Sequence, residues 1–100
     1  MIVPADVDEA YQATLATLDI DGPVYIRLGG RVAEPAATDP TAPFRLGQAT
    51  QLRAGNDVTV IACGCMVAMA VRASQALESE GLGVRVRWSA PGCRCGLSTA

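Results

Sequence analysis

Any chemistry in this chain must come from cysteines, carboxylates and arginines, because the sequence contains no histidine and no lysine. Its cysteines stand in two Cys-x-Cys pairs, Cys63 with Cys65 and Cys93 with Cys95. Four thiolates could hold a soft metal ion, but structural zinc sites space their paired cysteines by two to four residues, not one. Cys63 closes an apolar run, where cysteine packs as a small hydrophobe. Cys65 stands where a helix would begin, and a helix N-terminus favours the thiolate. A reactive thiol is one reading of Cys65, yet without a histidine to serve as base a cysteine-hydrolase chemistry is poorly supported. Asp6 and Glu9 form the close carboxylate pair with a clear motif, and helix capping accounts for both. Gly64 sits between a strand pattern and a helix pattern, but lacks the companion glycines and lysine of a phosphate loop. No complete catalytic constellation is present, so no catalytic residue is assigned.

Composition narrows the classes further. The chain has 100 residues, a formal net charge of −2 and 50% hydrophobic residues. That hydrophobic fraction argues against disorder. A mildly acidic chain with scattered arginines lacks the electrostatic footprint of a nucleic-acid binder. No apolar run is long enough for a membrane span. Met1-Ile2-Val3-Pro4-Ala5-Asp6 lacks the basic start and apolar core of a signal peptide. A cytoplasmic protein with reduced thiols is the expectation.

The stretch from Val58 to Gly81 organises the rest. Val58-Thr59-Val60-Ile61-Ala62-Cys63 is rich in β-branched residues and reads as a strand buried on both faces. From Cys65 to Glu80 the period becomes helical. Met66, Met69, Ala70, Ala73 and Leu77 make an apolar core-facing side, opposite Arg72, Gln75, Glu78 and Ser79. Gly81 ends the helix, and Val84-Arg85-Val86 resumes a strand. Strand, helix and strand form a βαβ unit with an expected right-handed crossover.

Upstream, Ile2-Val3 reads as a strand end, and Asp6 and Glu9 open a helix running to about Asp19 with Val7, Ala10, Tyr11, Leu15 and Leu18 as its apolar stripe. Asp21-Gly22-Pro23 is a turn, and Val24 to Leu28 is a second strand with Tyr25 and Arg27 on one face. Residues 31–43 carry Pro35, Pro40 and Pro43 without periodicity and read as a linker. A short strand is expected around Gln48 to Leu52. Arg87 to Ala100 shows no usable period and is expected to be irregular.

With these segments laid out, Pro4-Ala5-Asp6 and Gly22-Pro23-Val24-Tyr25-Ile26-Arg27-Leu28-Gly29 resemble the end of the pyrimidine-binding domain of transketolase-family enzymes. Phe44-Arg45-Leu46-Gly47-Gln48-Ala49, then Leu52 to Ala62, resemble the start of their C-terminal domain, and Gly64, Met66-Val67 and Glu80-Gly81 continue the likeness. It is greatest to the separate C-terminal subunit of split bacterial transketolases. Deoxyxylulose-phosphate synthase and the β subunits of 2-oxoacid dehydrogenases are more distant.

The resemblance implies an α/β chain made of pieces of two parallel-sheet domains, helix-strand and then a βαβ unit, joined by the Pro-rich linker. Residues 1–30 would end the pyrimidine-binding domain, 31–43 would be linker, 44–87 would start the C-terminal domain, and 88–100 would be an irregular tail, joined or read from elsewhere. It implies transfer of a two-carbon ketol unit between sugar phosphates with thiamine diphosphate and Mg²⁺, in a site between subunits. The family's catalytic glutamate would lie before Met1, and its Gly-Asp-Gly motif belongs to another domain. No cofactor is therefore expected on this chain alone, and no turnover. Arg27 alone matches a family position facing the active site, where the arginine helps bind the substrate phosphate through paired donors. Expected partners are a transketolase N-terminal subunit, a second copy, or both. The alternatives are a non-catalytic assembly or binding module, or a fragment of a deoxyxylulose-phosphate synthase or of a 2-oxoacid dehydrogenase β subunit.

Overall fold

The computed structural model describes residues 1–29 and 35–88. Its elements are helix α1 (Val7–Ala16), a 3-10 turn (Thr17–Asp19), strand β1 (Thr50–Arg53), strand β2 (Val58–Ala62), helix α2 (Met66–Glu78) and strand β3 (Val84–Trp88). β3 is the middle strand of three, parallel to β2 and antiparallel to β1. The architecture is α/β, with a mixed sheet where an all-parallel one was expected.

The β2-α2-β3 unit forms for local reasons. The β-branched run of β2 suits a pleated strand. Its register on β3 runs from Val58 opposite Val84 to Ala62 opposite Trp88. Asp57 fixes the start: its N–H donates to the Gly83 carbonyl (2.9 Å) and its carboxylate accepts from the Gly83 N–H (2.7 Å). Gly64 turns the chain into α2 at φ 56, where a Cβ would meet Val3 Cγ1 at 2.9 Å. The helix closes through the Leu82 N–H on Leu77 O (3.1 Å) and the Gly81 N–H on Glu78 O (3.0 Å), the paired bonds of a Schellman ending.

Several faces differ from the sequence pattern. β2 is an edge strand and not buried on both sides: Ile61 is 50% exposed, and Cys63 beyond its end is exposed. α2 is rotated from the expected orientation. Val67, Ala68 and Ser74 are buried, while Met66 (59% exposed) and Met69 lie outside. Helix α1 buries Glu9 and Ala13, and its apolar stripe of Val7, Tyr11, Leu15 and Leu18 faces outward. Of the two helices only α2 packs against the sheet, which covers one of its faces; α1 packs on none of the three strands.

The expected strand at Val24–Leu28 is a single parallel bridge between Ile2 and Ile26. It is held by the Ile2 N–H on Tyr25 O and the Arg27 N–H on Ile2 O, both 2.8 Å. Beyond Val86, by contrast, the strand continues. Arg87 and Trp88 belong to β3, and Trp88 is fully buried, which corrects the expected tail at both positions. Residues 89–100, including Cys93 and Cys95, and residues 30–34, which include the start of the linker, lie outside the described residues.

The core cluster joins what the sequence divides. Ala5, Val67 and Trp88 form it, with Ala37, Phe44, Leu52 and Ala62 packed around them. The first piece, the linker and the second piece thus share one core. Phe44 and Trp88 place their rings 5.9 Å apart, tilted by 47°. No helix among the described residues is long and apolar enough to cross a membrane.

Candidate functional site

The most structured group of polar side chains stands at the start of α1. Asp6 has extended backbone at φ −150, as a helix N-cap requires, and its Oδ1 accepts from the Glu9 N–H at 3.0 Å. Its Oδ2 accepts three more bonds: from the Ala37 N–H (2.9 Å), the Thr38 N–H (2.8 Å) and the Thr38 hydroxyl (2.6 Å). Burial alone would raise the Asp6 carboxyl, but the bonds from Thr38, Glu9 and Ala37 together outweigh it and hold it below the ordinary aspartate range.

Glu9 behaves in the opposite way. A capping box would aim it at the N–H of Asp6. Here its Oε2 accepts from the Ala5 N–H, one residue earlier, at 2.6 Å. Burial pushes the Glu9 carboxyl up to about 7; the Ala5 N–H opposes that rise and the Asp6 charge adds to it. Capping therefore explains only one of the roles of this pair. Asp6 also fastens the segment around Thr38, and Glu9 is a buried carboxyl that its burial raises above the ordinary glutamate range.

A cleft of about 540 Å³ opens beside them, between α1, the 36–44 segment and β1. Asp8, Glu9, Gln12, Thr38, Asp39 and Gln51 supply its polar lining. Among the described residues no group of three or more His, Cys, Asp or Glu side chains could hold a metal ion.

Arg27 is exposed, fixed by its backbone bond to Ile2, and lines neither this cleft nor the smaller one beside Tyr25 and Leu46. Cys63 and Cys65 are free and exposed on either side of Gly64. Cys63 is therefore not the buried hydrophobe its run suggests. Cys65 stands at the N-cap of α2 without a side-chain capping bond. The sequence pattern missed Thr38, which sits in an aperiodic segment, and the Arg53–Glu78 ion pair that ties β1 to α2. Thr38 and Arg53 carry no local signal of these long-range partners.

Comparison with known proteins gives one answer. The family model described as the transketolase C-terminal domain matches residues 47–88. A 6-deoxy-6-sulfo-D-fructose transketolase subunit of Clostridium sp. (strain MSTE9) is 42% identical over 83 residues, covering 83% of this chain and 26% of that protein. An apulose-4-phosphate transketolase subunit of Phocaeicola vulgatus is 30% identical, covering 86% of this chain and 28% of that protein. The 1-deoxy-D-xylulose-5-phosphate synthase of Heliobacterium modesticaldum is 33% identical over 82% of this chain and 13% of its own length. A solved chain described as a split gene transketolase, inactive β4 tetramer, superposes with a TM-score of 0.80 at 41% identity, covering 87% of this chain and 29% of that one. The chain thus spans between about an eighth and three-tenths of the proteins it matches. On the agreement of these matches with the fold, the chain belongs to the transketolase family, as a segment of its C-terminal part.

Proposed function

We propose that this chain serves a transketolase-type enzyme, transferring a two-carbon ketol unit between sugar phosphates with thiamine diphosphate and Mg²⁺ in the cytoplasm. The single observation that carries this reading is the 41% identity, at a TM-score of 0.80, to a split gene transketolase chain. The chain has no turnover alone and works with a transketolase N-terminal subunit and a second copy. Mg²⁺ and the diphosphate would be held by the Gly-Asp-Gly motif, which the family carries in another domain. Residues 1–30 end the pyrimidine-binding domain, and the C-terminal domain begins at residue 44. Arg27 is the substrate-phosphate ligand, its guanidinium offering paired donors to phosphate oxygens.

The test mixes the purified chain with a split-transketolase N-terminal subunit, thiamine diphosphate, Mg²⁺ and sugar phosphates. Ketol transfer that needs both proteins supports the reading. Assembly without transfer overturns it in favour of an assembly module. A second reading, as part of a 1-deoxy-D-xylulose-5-phosphate synthase, is favoured by the 33% identity to that enzyme. Assaying that product in the same mixture separates the two.

A further inference from the structure

The corner between β2 and α2 carries two thiols to which the proposed enzyme chemistry gives no role. Cys63 follows the last residue of β2, and Cys65 is the N-cap of α2, at φ −57 and ψ −22. Gly64 between them is buried and turns the chain at φ 56; a Cβ there would meet Val3 Cγ1 at 2.9 Å. The inner side of the corner is therefore packed on the N-terminal segment. The two cysteines lie on its solvent side: both are exposed, and among the described residues both are free. Cys65 makes no side-chain capping bond to its helix, so its sulfur is not engaged there. The corner also brings the pair close. Two Cα–Cα steps of about 3.8 Å join them, and the bend at Gly64 keeps the ends under about 7 Å apart. A disulfide spans Cα separations of about 4.4–6.8 Å, so the two sulfurs can meet with little movement of the backbone.

We propose that Cys63 and Cys65 form a redox modification site, a dithiol that closes to an intrachain disulfide by exchange with a small-molecule disulfide. The inference rests on this corner and not on the transketolase reading. In the first step one cysteine thiolate attacks a sulfur of the small disulfide. A protein–small-molecule S–S bond forms, the old S–S bond breaks, and one small thiolate leaves. In the second step the other cysteine thiolate attacks the protein sulfur of that mixed disulfide. The Cys63–Cys65 bond forms, and the second small thiolate leaves. The two cysteines together lose two electrons, the small disulfide gains them, and the two cysteine protons end on the two released thiols. Exposed disulfides belong to the labile kind, so a dithiol reductant reopens this one by the same steps in reverse.

The test treats the natural chain with oxidised glutathione, blocks the thiols that remain with N-ethylmaleimide, cleaves with trypsin and weighs the peptides. The sequence has no lysine, so trypsin cuts only after arginines. Residues 54–72 then leave as one peptide that holds Cys63 and Cys65 and no other cysteine, while Cys93 and Cys95 leave in peptides 88–94 and 95–100. The expected product is a 54–72 peptide lighter than its reduced form by two hydrogens and free of maleimide, with both thiols restored by dithiothreitol. Cys65→Ser removes one of the two attacking sulfurs and should stop Cys63 at the glutathione adduct; Cys63→Ser should stop Cys65 in the same way. Both side chains are exposed, so neither exchange disturbs the core. A natural chain whose 54–72 peptide keeps both maleimides overturns the proposal. So does one that stops at the glutathione adduct, or one whose 54–72 peptide is cross-linked to peptide 88–94, to peptide 95–100 or to a second chain.

Discussion

Asp6 and Thr38 lie 32 positions apart, yet the Asp6 Oδ2 accepts from both the amide (2.8 Å) and the hydroxyl (2.6 Å) of Thr38. This pair fixes where the aperiodic segment crosses the start of α1. Thr38→Val removes the hydroxyl and keeps the shape. A hydrogen bond to a charged group contributes about 1.5–3 kcal/mol, so a loss near the lower figure is expected, because the two amides still hold Asp6. Asp6→Ala should cost more, about 2–4 kcal/mol, since it removes the helix cap and strands two amides. Urea midpoints check both. The double variant should lose less than the sum of the single losses, because the two side chains share one interaction.

Trp88 carries the centre of the core. Trp88→Ala should cost about 3–5 kcal/mol, most or all of the stability of a small domain. Trp88→Phe is the more informative change. Among the described residues the buried Trp88 Nε1–H has no hydrogen-bond partner, and a buried donor left unpaired costs about 1–3 kcal/mol. Phenylalanine loses packing but removes that donor. Its loss should be under half that of Trp88→Ala in a thermal melt followed by circular dichroism.

Elements whose signals are local could be read from the sequence. The β-branched run of β2, the Gly64 turn, the Gly81 ending and the Asp6 cap each depend on neighbours within a few residues, and each forms where its pattern lies. Burial direction could not be read in the same way. Met66, Met69, Ala70, Ala73 and Leu77 repeat at helical spacing, but so do Val67, Val71 and Ser74, and the sheet chooses between them. In β3 the alternation Val84-Arg85-Val86-Arg87-Trp88 runs to Trp88, where the family match also ends, so any irregular tail begins later than expected. The site was half visible. Asp6 and Glu9 stand out as a capping pair, but their opposite displacements depend on Thr38 and on burial of Ala5, which only the folded chain supplies.

Two glycines separate backbone strain from crowding. At Gly64 an alanine would adopt φ 56 and bring its Cβ to 2.9 Å from Val3 Cγ1, the end of a side chain that can move. The left-handed conformation costs an alanine about 1–2 kcal/mol, and a similar loss is expected for Gly64→Ala. At Gly55 a Cβ would strike the backbone of Gly83, Val84 and Arg85 where β3 begins. Backbone cannot move without breaking the Val58–Val84 register. Gly55→Ala should therefore be the worse change, with loss of the cooperative transition in a denaturant titration.

The proposed role of Arg27 makes a prediction in the assembled enzyme. Arg27 is exposed and anchored through its backbone, so replacing its side chain should leave the fold intact. Surface substitutions of this kind usually change stability by less than about 0.5 kcal/mol. If the guanidinium binds the substrate phosphate, Arg27→Ala removes charge-assisted bonds of about 1.5–3 kcal/mol, which corresponds to a fall in kcat/KM of roughly ten- to more than a hundred-fold. Arg27→Lys keeps the charge but loses the paired geometry, and should recover only part of that fall. Steady-state kinetics with the N-terminal subunit present, alongside a denaturant midpoint for each variant, checks this. An unchanged midpoint with kcat/KM lowered for phosphorylated substrates places Arg27 at the phosphate. An unchanged kcat/KM returns it to being an ordinary surface arginine at the end of a one-bridge strand.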